Sequence, residues 1–108
     1  MPTTEHGQLF LRLYENAIRC LTGAAEAWHL DRAEDALGSL CQAAEILREL
    51  DAGVDLPSGR QAAADLHRIY GFLLEQLDRV EKTGDLFLLG EITGLLEELH
   101  QSWKAITC

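Results

Sequence analysis

The sequence is short of residues that interrupt helices. Its only prolines are Pro2 and Pro57. Proline inside a helix removes a hydrogen bond and clashes with the turn before it, so two long stretches, 3–56 and 58–108, are free of that break. Cysteine is scarce as well. Cys20, Cys41 and Cys108 are odd in number, far apart and fit no CxxC spacing. That pattern argues against a disulfide framework and suits a reducing cytoplasm. Two of the three sit where helix faces would bury them as small hydrophobes. Positive charge is also in deficit, with 9 Lys+Arg against 18 Asp+Glu and a net charge of −9. So acidic a chain is unsuited to nucleic acid or to an anionic membrane, whose phosphates need a basic surface. It favours a neutral or basic partner. No run approaches the ~18 apolar residues of a membrane span. "MPTTEHGQLF" lacks the basic n-region of a signal peptide. Sustained alternation of apolar and polar residues, the mark of strands, is missing too.

What is present is helical periodicity. The chain is 47% hydrophobic and 25% charged over 108 residues, which is a globular composition and one domain's length. Four segments show the period, over about residues 5–29, 32–52, 59–82 and 86–105. Asp31 and Glu34 form a capping-box pair before the second, and Ser58 and Gln61 form another before the third. Gly53 is placed to close the second helix in a left-handed conformation. Asp85 or Thr83 can cap the fourth. Connections this short force neighbouring helices antiparallel. The expected fold is all-α: one domain over 1–108, an up-down-up-down antiparallel four-helix bundle. Its expected core is Phe10, Leu13, Tyr14, Ala17, Ile18, Leu21 and Trp28 from the first helix, and Ala33, Leu37, Leu40, Ala44 and Leu47 from the second. The third contributes Leu66, Ile69, Tyr70, Leu73, Leu77 and Val80, and the fourth Leu88, Leu89, Ile92, Leu96, Leu99 and Trp103.

A helical bundle can hold a carboxylate-bridged metal pair on Glu-x-x-His tetrads. Glu26…His29 and Glu97…His100 have that spacing. Both glutamates project away from the apolar stripes of their helices, so solvated surface pairs are the expectation and no metal is. There is no Ser/His/Asp order, Gly-rich phosphate loop or nucleophile elbow. His6 and His67 have no ligand-spaced company. Neither enzymatic activity nor a cofactor is expected.

The apolar residues outside the stripes are more informative. Leu11 flanks the stripe of the first helix, Ile46 and Leu50 lie to one side of the second, Phe72 projects about 100° from the centre of the third, and Leu86 and Phe87 stand off the fourth. Single exposed apolar residues are ordinary; together these form candidate partner-binding positions. With the hairpin turn near Asp55, Ile46 is expected level with about residue 64 and Phe72 level with Gly38, a spread suited to a long partner. Gly23, Gly38, Gly71, Gly90 and Gly94 also project outward. Each costs up to ~1 kcal/mol against alanine, and they would let another helix approach or keep the bundle loose.

The blocks "QLFLRLYENAIRCL", "AEDALGSLCQAAEILRELDAGVD", "QAAADLHRIYGFLLEQL" and "GLLEELHQSWKAI" resemble successive blocks of the FliS family of cytoplasmic chaperones for flagellin export. Leu9, Leu13, Tyr14, Glu15, Ala17, Ile18 and Leu21 match its first pattern. Ala43, Ile46, Leu47, Glu49, Leu50 and Asp55 match the second, with Val54 in place of Leu. Leu66, Ile69, Tyr70 and Phe72 match the third, and Leu95, Leu96, Leu99, Ser102 and Trp103 the fourth. The resemblance spans about residues 8–106 and implies an antiparallel four-helix bundle. It implies a non-enzymatic chaperone that binds the disordered C-terminal segment of flagellin and prevents premature polymerisation. Family members usually carry a further N-terminal segment that folds over the bundle while flagellin is absent; here the first helix begins almost at once. Where the family has adjacent glycines between helices two and three, this chain has "LPSGR". Leu11, Ile46, Leu50, Phe72 and Phe87 are the expected contacts. The alternatives are a diverged bundle holding another export substrate or regulator, and a structural bundle that uses the same positions for a weak homodimer.

Overall fold

The computed structural model describes residues 5–53 and 60–107. They form four helices: α1 Glu5–His29, α2 Ala33–Ala52, α3 Arg60–Thr83 and α4 Leu86–Thr107. The Ser58–Gln61 pair lies outside the described residues.

Two of the helix boundaries differ from expectation for local reasons. Asp31 does not cap α2. It has φ 58, a left-handed conformation that aspartate tolerates better than most residues. In that position it ends α1: Asp31 N–H donates to Trp28 O at 3.1 Å and Arg32 N–H to Ala27 O at 2.8 Å, the paired bonds of a Schellman motif. The cap position of α2 falls on Arg32, which makes no side-chain capping bond. Glu34 and Asp35 stand in its first turn, where negative charge favours the helix dipole. Gly53 is not left-handed either, with φ −89 and ψ 4. Gly84 is, with φ +66, and its N–H closes α3 on Val80 O at 2.7 Å. The next helix starts as expected, with Asp85 Oδ1 accepting from Leu88 N–H at 3.1 Å.

Contacts between helices run in opposite chain directions. Phe10 meets Trp103 while Tyr14 meets His100, so α1 and α4 are antiparallel. Gly23 approaches Ser39, and further along α1 Leu9 and Leu13 reach Glu49 and Ala52. Asp51 meets His67, while Leu40 and Cys41 share a cleft with Leu77 and Glu81. Each helix packs on its two chain neighbours in the order α1, α2, α3, α4, with α1 and α4 closing the ring. The α1–α2 seam is the closest and α3–α4 the loosest.

The expected turn at Asp55 lies outside the described residues, but the Asp51–His67 contact sets the relative height of α2 and α3. Ile46 therefore stands level with Phe72, not with residue 64. On the helical projection the two still face opposite flanks of the hairpin.

The expected residues of α1, α3 and α4 are buried in the core or partly buried against it, and the core differs on α2. Ala36, Leu40, Ala43, Leu47 and Leu50 are buried there, whereas Ala33 and Leu37 are exposed. The α2 apolar arc exceeds half the helix, so leucines alone do not locate its centre. The tight seam with α1 does. Ala17 and Ala24 on α1 and Ala36 and Ala43 on α2 are all fully buried, and small side chains let two helices come close. Cys41 is exposed and Cys20 half-buried, so only the latter approaches the burial expected of it.

Polar groups enter the core at one level. The Tyr14 and Tyr70 hydroxyls share a hydrogen bond at 2.5 Å, and Trp103 Nε1–H donates to Tyr14 Oη at 3.1 Å. Phe10 packs edge-on against both Tyr14 and Trp103. These contacts join α1, α3 and α4.

Candidate functional site

The five candidate contacts fall in different places. Leu50 is 0% exposed and belongs to the core, because the α2 face turned inward is centred nearer to it than the leucine pattern indicated. Ile46 is half-buried and packed against that core. Leu11 is half-buried on α1, one turn before Glu15 on the flank facing α4. Phe72 and Phe87 are outside, 53% and 77% exposed. Three further large apolar side chains are exposed among the described residues: Leu9, Leu30 and Leu37. Leu37 was expected in the core. Leu9 and Leu30 sit at the two ends of α1, where an apolar residue in the pattern does not reveal whether a neighbour reaches it.

Exposed apolar residues and clefts coincide at the seams. Between α3 and α4 a cleft of about 240 Å³ is lined by Phe72, Leu73, Gln76, Leu88, Glu91, Ile92 and Leu95. Phe87, one turn before Glu91, stands beside it nearer the Gly84 turn. Between α1 and α2 a cleft of about 370 Å³ is lined by Leu9, Phe10, Leu13, Glu49, Ala52 and Gly53. A smaller one of about 150 Å³ lies between α2 and α3, with Leu40, Cys41, Ala44, Leu74 and Leu77 among its walls. The fourth, about 310 Å³ between α1 and α4, is more polar, with Glu15, Ile18, Arg19, Glu97, His100 and Gln101. Each seam thus carries a depression. Gly38, Gly71, Gly90 and Gly94 have open space where a side chain would begin.

The buried phenols and the Cys20 thiol are held neutral. Burial raises the Tyr14 phenol above its ordinary value, opposed by its bonds to Tyr70 and Trp103. Burial raises Tyr70 further, reinforced by its bond to Tyr14. Burial also raises the Cys20 thiol, against the pull of Arg19, so it is a poor nucleophile. His100 is buried and stacked on Tyr14. Its Nε2 lies 3.6 Å from Glu15 Oε2 and makes no hydrogen bond among the described residues. Glu26, His29 and Glu97 are exposed, so neither Glu-x-x-His tetrad turns its carboxylate inward. The chemistry this surface offers is apolar contact bordered by acidic side chains. No helix among the described residues is long and apolar enough to cross a membrane.

The family model described as "Flagellar protein FliS" matches residues 1–107. The flagellar secretion chaperone FliS of Bacillus subtilis is 26% identical over 102 residues, covering 94% of this chain and 75% of that protein. The flagellar secretion chaperone FliS of Salmonella typhimurium is 29% identical over 58 residues, covering 54% of this chain and 43% of that protein. With a match over nearly its whole length, the chain belongs to the FliS family of flagellar proteins.

Proposed function

We propose that this protein is a cytoplasmic, non-catalytic chaperone of flagellar export that binds the disordered C-terminal segment of flagellin and delays its polymerisation. The observation that carries the reading is the distribution of clefts over all four seams. A compact folded partner needs one contiguous patch. A disordered chain that folds on binding wraps a large surface through many modest contacts. The relatives' role as flagellar secretion chaperones supports the same reading, and the resemblance set out above supplies flagellin as the substrate.

The test is titration calorimetry of the purified protein with full-length flagellin and with flagellin lacking its C-terminal segment. Binding only to the former is expected; equal binding to both would overturn the proposed mode. Phe72→Glu should weaken the complex by at least about 1–2 kcal/mol, as loss of an apolar anchor does, and should leave the thermal melt of the free protein nearly unchanged.

A further inference from the structure

Among the described residues, one buried side-chain nitrogen has no hydrogen-bond partner, Nε2 of His100 on α4. His100 is 9% exposed. Its ring stacks on Tyr14 of α1, and its Nε2 lies 3.6 Å from Oε2 of Glu15, also on α1. That separation is too long for a hydrogen bond and within reach of an ion pair. Glu15 is 49% exposed, so its carboxylate has room to move onto the ring. The cleft around the pair is also walled by Ile18, Arg19, Glu97 and Gln101. The second histidine–carboxylate contact, His67 with Asp51, joins α3 to α2 but is already hydrogen-bonded, and His67 is 52% exposed.

The surroundings leave Glu15 as the counter-charge nearest the ring. On α1, Arg19 is engaged with Asn16, donating to its Oδ1 at 3.0 Å. On α4, Glu97 and Lys104 stand about one turn to either side of His100, and both are exposed. From α3 comes the Tyr70 phenol, bonded to Tyr14, and burial keeps both phenols protonated. An imidazole protonated at both nitrogens donates from each, and histidine changes charge between about pH 5 and 8. A charged ring inside a bundle needs an opposite charge at hand. We propose that His100 and Glu15 form a proton-operated latch between α4 and α1. Uptake of one proton by the ring converts the 3.6 Å approach into a charge-assisted hydrogen bond, and loss of that proton releases it. The stability from this contact is present while the ring is charged and is lost as pH rises through its titration. The latch sets how firmly the two helices that wall the α1–α4 cleft are held, whatever partner the chain binds.

The test is a double-mutant cycle of Glu15→Gln and His100→Gln in the full chain, read by urea unfolding at about pH 6 and about pH 8. The coupling between the two positions should be roughly threefold to tenfold in the unfolding equilibrium constant at the lower pH. At the higher pH it should fall below about twofold. Titration of the other histidines cancels in the cycle. Glu15→Gln changes a half-exposed side chain and keeps the fold. Its own destabilisation should appear at about pH 6 and vanish at about pH 8, which decides the matter even where His100→Gln does not fold. A coupling equal at both pH values or larger at the higher one would overturn the proposal, as would a Glu15→Gln effect that does not change with pH.

Discussion

The Tyr14 hydroxyl lies where α1, α3 and α4 meet. It accepts from Trp103 and shares a bond with Tyr70. Removing one hydroxyl leaves the remaining buried polar groups short of a partner, so Tyr14→Phe should cost about 1–3 kcal/mol in urea unfolding. The same pair predicts an alkaline weakness. Both phenols have folded-state values above the ordinary 10.0. The stability this gives is fully present below that pH and is lost as pH rises through the folded values, because the unfolded chain sheds its phenolic protons first. The stability difference between the native sequence and Tyr70→Phe should therefore narrow from about pH 8 to about pH 11; a constant difference would contradict the burial of Tyr70. Leu50 and Leu37 provide a second contrast. Leu50→Ala should cost about 2–5 kcal/mol as a cavity in the core. Leu37→Ala should stay within about 0.5 kcal/mol. The reverse order would restore the α2 face expected from the leucines.

At the scale of elements, the helix ends carry their own predictions. Gly84 must be left-handed to close α3, so Gly84→Ala should destabilise by about 1 kcal/mol or more. Asp85→Ala should cost about 1 kcal/mol through the lost cap of α4. Asp31 occupies a left-handed site without capping α2. Asp31→Gly should then be neutral or stabilising by up to about 1 kcal/mol, since glycine adopts that conformation without strain. Thermal melts of the three variants check all of these. A loss on Asp31→Gly would point to a capping role. The α4 cap was legible because Thr83, Gly84 and Asp85 are adjacent and each suits one conformation. The Asp31–Glu34 pair has the same chemistry, but the three-residue connection made Asp31 the terminator of α1 instead.

The whole molecule sets how much partner chain is needed. A cross-section of 25 × 19 Å gives a girth of about 70 Å, which an extended chain spans in roughly 20 residues. Helical turns in the bound segment lengthen that path. Affinity for nested pieces of the flagellin C-terminal segment should therefore keep rising beyond about 20 residues. Saturation with a much shorter piece would mean that one seam does all the binding. Leu9 and Phe72 belong to clefts on different seams, so the losses from Leu9→Ser and Phe72→Ser should add to within about 0.5 kcal/mol. A second copy of the chain competing for the same clefts would appear as mass that rises with concentration in sedimentation.

Periodicity alone determined four helices, and short connections determined their antiparallel order, because both depend on residues near in sequence. Most of the core of α1, α3 and α4 was legible for the same reason: each has an apolar stripe narrow enough to have one centre. Phe72 and Phe87 were legible as outliers from such stripes. The inward face of α2 was decided by tertiary packing, since its apolar arc is wide and the buried face runs through Ala36 and Ala43 as well as through leucines. That choice moved Leu50 into the core and Leu37 out of it. The clefts, too, belong to the assembled bundle. Each is walled by side chains from two helices, and its depth depends on how closely those helices approach, which no single helix encodes.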